Sequence, residues 1–124
     1  QYSRKKFDVL VVDTIGLLTK VYSYANIAYV GGGFATGLHN TMEPAVFGIP
    51  IIIGPQFEGF KEAKDLVKEK GILPVSNQDS FDNLMSVLLN NPISIKNIGE
   101  INSNYINSNK GAADLIMQHI SKII

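Results

Sequence analysis

Ile27-Ala28-Tyr29-Val30-Gly31-Gly32-Gly33-Phe34-Ala35-Thr36-Gly37-Leu38-His39-Asn40-Thr41-Met42-Glu43-Pro44 reads as a strand, a glycine-rich loop and the start of a helix. A second apolar run, Ile51-Ile52-Ile53-Gly54, follows it. In that arrangement backbone amides are able to hold a phosphate. Gly31, Gly32, Gly33 and Gly37 carry no Cβ, so the chain turns tightly there and a ligand approaches the backbone closely. A helix N-terminus adds free N–H groups and about half a positive charge. The same glycines also suit a strand-to-helix turn on geometry alone. Their spacing is not G-x-G-x-x-G, so a dinucleotide fingerprint is not supported.

Outward from this stretch, strands alternate with helices. Phe7-Asp8-Val9-Leu10-Val11-Val12-Asp13 is β-branched and nearly continuous in apolar character, the pattern of a buried parallel strand. Thr14-Ile15-Gly16 is a turn, and a short helix is predicted from Leu17 to Tyr24. Ile27 to Val30 forms the second strand, and a helix runs from about Asn40 to Gly48. Pro50 opens the third strand, Ile51 to Ile53. Phe60 to Lys70 is helical, with Phe60, Ala63, Leu66 and Val67 on one face and Gly71 as its stop. Ile72-Leu73-Pro74-Val75 is a short fourth strand. Asp79 or Ser80 caps a helix whose stripe is Phe81, Leu84, Met85, Leu88 and Leu89, ended by Asn90-Asn91-Pro92. Asn97 to Asn109 is polar and predicts a weak helix. A last helix starts near Gly111. The fold class is therefore α/β: a Rossmann-like parallel sheet flanked by helices, with ligands at the carboxyl ends of the strands.

Several side chains near those strand ends have two readings. Asn40 and Glu43 have the spacing of a capping box, but Pro44 moves the helix start a residue or two later. Alternatively, a carboxylate at Glu43 accepts hydrogen bonds from the two hydroxyls of a ribose. His39 either donates to a phosphate oxygen or is a solvated loop residue. His119 reads as surface, and Asp13 as a turn cap or a ribose ligand. No His, Asp or Glu cluster has metal-ligand spacing, and no serine or lysine stands in a nucleophile motif.

Composition bounds the function classes. The chain has 124 residues, 45% hydrophobic and 18% charged, which is enough for one domain with a core. A net charge of zero supplies no long-range field for nucleic acid or acidic membranes. The absence of cysteine excludes disulfides and thiolate chemistry. No apolar run approaches the roughly 20 residues of a membrane helix. With no Met at position 1 and a strand pattern starting at once, the chain reads as part of a longer protein.

An ordered set of motifs adds a family resemblance over nearly the whole chain. Asp13-Thr14-Ile15-Gly16, Tyr29-Val30-Gly31-Gly32-Gly33-Phe34, Gly37-Leu38-His39-Asn40-Thr41-Met42-Glu43-Pro44, Gly48-Ile49-Pro50, Gly54-Pro55 and Asn107-Ser108-Asn109-Lys110-Gly111-Ala112 follow one another. The set resembles the C-terminal domain of the 3-deoxy-D-manno-octulosonic acid (Kdo) transferases. The resemblance implies part of a glycosyltransferase-B fold, with CMP-Kdo as donor and a lipid A precursor as acceptor. It places the enzyme peripherally at the cytoplasmic face of the bacterial inner membrane. It implies no metal, cofactor or nucleic acid. Residue by residue, it sets Gly32, Gly33 and Phe34 at the CMP phosphate and counts Gly37 and His39 among the CMP-binding residues. Asn40 and Glu43 match the family's His-Asn-x-x-Glu motif, with Glu43 on the ribose, and Thr14, Ile15 and Gly16 lie near the cytosine. Many members carry serine at position 33 and glutamate at position 17, where this chain has Gly33 and Leu17. The catalytic base, the acceptor-binding domain with its membrane contact and the first strands of the donor domain are expected outside this chain. An exposed sheet edge then allows a homodimer. The alternatives are a UDP-sugar transferase or epimerase of the same fold, and a non-enzymatic interaction module.

Overall fold

The computed structural model describes residues 8–13, 16–35, 37–109 and 118–120. The apolar runs become three short parallel strands, β1 (Ala28–Tyr29), β2 (Ile51–Ile53) and β3 (Ile72–Pro74), in the order β1-β2-β3. Ala28 pairs with Ile51, and Ile51 in turn with Ile72. Backbone bonds from Val30 N–H to Ile52 O and from Val75 N–H to Ile53 O extend the ladders one residue beyond the strands. The helices are α1 (Leu18–Tyr22), α2 (Met42–Val46), α3 (Lys61–Glu69), α4 (Gln78–Leu89) and α5 (Pro92–Ser108).

β2 is buried on both faces, and successive side chains serve opposite faces because strand side chains alternate. Ile51 and Ile53 join Val30, Ile72, Met42, Ala45, Ala63, Leu66 and Ile106 in the larger core, roofed by α2, α3 and the C-terminal half of α5. Ile52 faces the other way, onto Val75 and Leu88, with Phe81, Leu84, Met85, Ile95 and Ile98 packed around them. One helix thus contributes to both cores: α5 gives Ile95 and Ile98 to one and Ile106 to the other.

Between those turns, α5 passes beneath the N-terminal ends of the strands. Gly99 lies against the backbone of Gly48, where a Cβ would overlap the Gly48 carbonyl. Asn102, fully buried, donates from Nδ2 to Ile49 O at 2.7 Å and to Gly71 O at 2.9 Å. These carbonyls precede β2 and β3, so α5 closes the end of the sheet opposite the glycine-rich loop.

Three expectations are corrected. Asp8 to Asp13 form no strand: Val9, Leu10 and Val11 are 77%, 83% and 80% exposed. A strand pattern alone does not make a strand; the segment must also dock on a sheet edge, and residues 8–13 pair with none of the three strands although the outer edge of β1 is open. Second, the polar segment taken as a weak helix belongs to a 17-residue helix starting at Pro92. Proline suits a first helical position, and Asn91 caps that end by accepting from Ser94 N–H. Third, α4 is capped by Asn77 rather than Asp79 or Ser80. Asn77 Oδ1 accepts from Ser80 N–H at 2.8 Å while Ser80 Oγ accepts from Asn77 N–H at 3.1 Å. Residues 110–117 and 121–124, most of the predicted last helix, lie outside the described residues, as do Thr14 and Ile15.

Candidate functional site at the carboxyl ends of the strands

The loop after β1 folds on itself. His39 N–H bonds to Gly31 O at 3.0 Å, and Ala35 N–H to Gly32 O at 3.1 Å. Gly32 has φ +92°, and a Cβ there would overlap Gly37 O; only glycine fits both conditions. Gly33 packs against the loop after β2. Its carbonyl accepts from Gln56 N–H at 2.7 Å, and a Cβ on it would sit 2.6 Å from Gly54 N. The serine that the resemblance associates with position 33 has no room in this loop. Gly31 and Gly37, by contrast, have open space where a Cβ would stand. Among the described residues, the amides of Gly32, Gly33 and Gly37 pair with no acceptor.

The helix after the loop is shorter than predicted. α2 has five residues with Thr41 at the N-cap position, so few aligned peptide dipoles stand behind the loop. Asn40 precedes that position, and its Oδ1 accepts from Met42 N–H at 2.8 Å. A capping box from Thr41 would need its acidic partner at position 44, which is Pro44. The box predicted between Asn40 and Glu43 is therefore one residue out of register. Pro44 is tolerated because the first helical N–H groups have no intrahelical acceptor.

Glu43 is thereby left free of the helix end. Its side chain is 14% exposed and faces a cavity of about 370 Å³ lined by Leu18, Tyr22, Tyr29, Val30, Gly31, His39, Asn40 and Glu43. This is within the size range of small-molecule sites. Burial pushes the Tyr22 hydroxyl pKa above its ordinary value, and the Glu43 carboxylate pushes it further. The imidazole of His119 also approaches this carboxylate, with Nε2 3.6 Å from Glu43 Oε1.

The structure brings His39, Asn40 and Glu43 into one cavity and leaves the other sequence-predicted residues at different places. Phe34 is exposed and lines a neighbouring apolar groove with Tyr29, Val75 and Phe81. Gly32, Gly33 and Gly37 form the loop beside the cavity without lining it, and Gly16, at φ +93°, precedes α1. Sequence reasoning missed Tyr22 and Leu18 as lining residues, although their spacing of four already put them on one helix face. It also missed His119, for which no local signal exists. Among the described residues no group of three or more His, Asp or Glu is placed to hold a metal ion, and no helix is long and apolar enough to cross a membrane.

No family model matches the chain. It is 30% identical to a 3-deoxy-D-manno-octulosonic acid transferase of Rickettsia bellii over 118 residues, covering 93% of this chain and 28% of that protein. The enzyme of the same name from Haemophilus influenzae is 32% identical over 112 residues, 88% of this chain and 26% of the relative. That from Aquifex aeolicus is 36% identical over 84 residues, 66% of this chain and 24% of the relative. The chain thus spans about a quarter of the length of these relatives. Among solved structures, the C-terminal CMP-Kdo binding domain of WaaA from Acinetobacter baumannii superposes with a TM-score of 0.67 at 23% identity. The match covers 75% of this chain and 50% of that one, and it shows a shared fold.

Proposed function

The chain belongs with the 3-deoxy-D-manno-octulosonic acid transferases, and from that premise we propose that it forms part of the donor-binding domain of such an enzyme, holding CMP-Kdo. The observation that carries this reading is the partly buried Glu43 beside His39 and Asn40 in one cavity at the strand ends. A carboxylate there accepts from both hydroxyls of a ribose. The amides of Gly32, Gly33 and Gly37, unpaired among the described residues, belong to the loop beside the cavity and are the groups that would receive the phosphate.

In the whole enzyme, a hydroxyl of the lipid A precursor attacks the anomeric carbon of Kdo. The bond to the CMP phosphate oxygen breaks, and CMP leaves with the electron pair. A carboxylate outside this chain takes the hydroxyl proton. The loop amides offset charge building on the departing phosphate. The acceptor, the membrane contact at the cytoplasmic face and the base all belong to the rest of that protein, and this chain alone is expected to be inactive.

The test is binding of CMP and UDP to the intact protein. CMP is expected to bind preferentially. Glu43→Ala is expected to weaken CMP binding by roughly 10- to 100-fold, the worth of hydrogen bonds to a charged group. Preference for UDP would instead favour a UDP-sugar enzyme of the same fold. Equal affinity of wild type and Glu43→Ala would remove Glu43 from the site.

A further inference from the structure

Glu43 has three side-chain torsions and lies at the edge of a cavity, so a fixed orientation needs a second contact. Its helix does not supply one, because the capping register passes it by. Tyr22, Tyr29 and His39, the other titratable groups on the cavity wall, make no hydrogen bond to it among the described residues. The contact comes from the far end of the chain. His119 Nε2 approaches Glu43 Oε1 to 3.6 Å, a polar contact just beyond hydrogen-bond length. The histidine is 60% exposed while the carboxylate is 14% exposed. The imidazole therefore sits on the solvent side of a largely buried carboxylate. Oε2 has no partner among the described residues.

We propose that His119 is a positioning residue for Glu43. It holds Oε1 from the solvent side, so that the carboxylate stays oriented toward a ribose diol and distinguishes ribose from 2′-deoxyribose. This inference rests on the assignment of Glu43 to the ribose. A carboxylate that receives both the 2′ and 3′ hydroxyls must keep both oxygens in the plane of the diol. Freed at one oxygen, it turns to accept whichever hydroxyl remains, and the penalty for losing the 2′ hydroxyl shrinks.

The experiment measures the affinities of CMP and 2′-deoxy-CMP by calorimetry on the intact protein. The variants are His119→Ala, His119→Gln, Glu43→Ala and the double variant Glu43→Ala with His119→Ala. The affinity ratio of the two nucleotides on one sample is insensitive to any fraction of unfolded protein. His119→Ala is expected to lower the ratio by roughly fivefold, the upper worth of a partly exposed pair. His119→Gln, which keeps an N–H donor, should hold it within about twofold of wild type. On the Glu43→Ala background, His119→Ala should change nothing further. A ratio unchanged by His119→Ala but collapsed by Glu43→Ala overturns the positioning role and leaves the ribose assignment standing. A ratio unchanged by Glu43→Ala overturns both.

Discussion

Asn102 shows how much one buried polar residue contributes to the frame beneath the site. Its amide bridges the carbonyls that precede β2 and β3, at 2.7 and 2.9 Å. Gly71 O also accepts from Ile51 N–H, but among the described residues Ile49 O has no second donor. Asn102→Ala leaves a buried carbonyl unpaired and a small void, and is expected to destabilise by about 2–3 kcal/mol; urea denaturation of the intact protein checks this. Tyr105 supplies a second residue-level test. Its hydroxyl donates to Asp65 Oδ2 at 2.9 Å, and burial first, then that bond, push its pKa from 10.0 up to about 12. The folded state keeps the phenol proton where the unfolded state has lost it. The contribution is therefore complete below pH 10 and is lost as pH rises toward 12. Subtracting the stability–pH profile of Tyr105→Phe from that of wild type should isolate a decline in this window; a flat difference would refute it. The bonded Lys61 ammonium first, and then this same hydroxyl, hold the Asp65 carboxyl below the usual carboxylate range. Neither role was readable in the sequence. Asn102 stands in a run of Asn and Ser that hides the apolar period, and Tyr105 gains its partner only when α5 packs against α3.

α3 and α4 form where their apolar stripes predicted them, and the differences there are at the helix ends. The stripes Phe60, Ala63, Leu66 and Val67 of α3 and Phe81, Leu84, Met85 and Leu88 of α4 meet a core, whereas Leu89, also placed on the α4 stripe, is exposed where the helix ends. The end of α3 differs in detail from its sequence signal. Lys70, not Gly71, takes the left-handed conformation at φ 70°, while Gly71 N–H bonds back to Leu66 O at 2.9 Å. A side chain in that conformation costs about 1 kcal/mol that glycine avoids. Lys70→Gly is therefore expected to raise stability by about 0.5–1 kcal/mol, seen as a higher denaturation midpoint with an unchanged slope; a lower midpoint would contradict the assignment. Caps are set by hydrogen bonds between residues three apart, and Asn77, Asp79 and Ser80 all have acceptable chemistry for the role at α4. Only the backbone path selects Asn77. The same holds at α2, where Pro44 signals a shifted start without saying by how much.

At the scale of the molecule, the sheet has an open side. Ala28 N–H bonds to Pro50 O and Val30 N–H to Ile52 O, so Tyr29 N–H faces away from β2. Among the described residues no strand pairs with that edge, and the apolar Val9–Val12 segment lies exposed. If the longer protein supplies the first strands of the donor domain, they pair along β1. The expected result is slow amide exchange at Tyr29 in the intact protein, measured by hydrogen exchange, against fast exchange in the chain alone. Slow exchange in the chain alone, together with dimerisation, would point instead to a second copy on this edge.

The order of strand, glycine-rich loop, helix and strand, the α/β class and the two-sided burial of β2 were determined by the sequence itself. Each depends on residue types within a few positions of one another, through periodicity and turn chemistry. The grouping of His39, Asn40 and Glu43 follows from the same local spacing. Tertiary structure alone decided that residues 8–13 stay out of the sheet, that α5 serves both cores and ties the strand ends through Asn102, and that His119 reaches Glu43. These depend on which surfaces pack and which edges are in reach, contacts between segments far apart in the chain that no local pattern encodes.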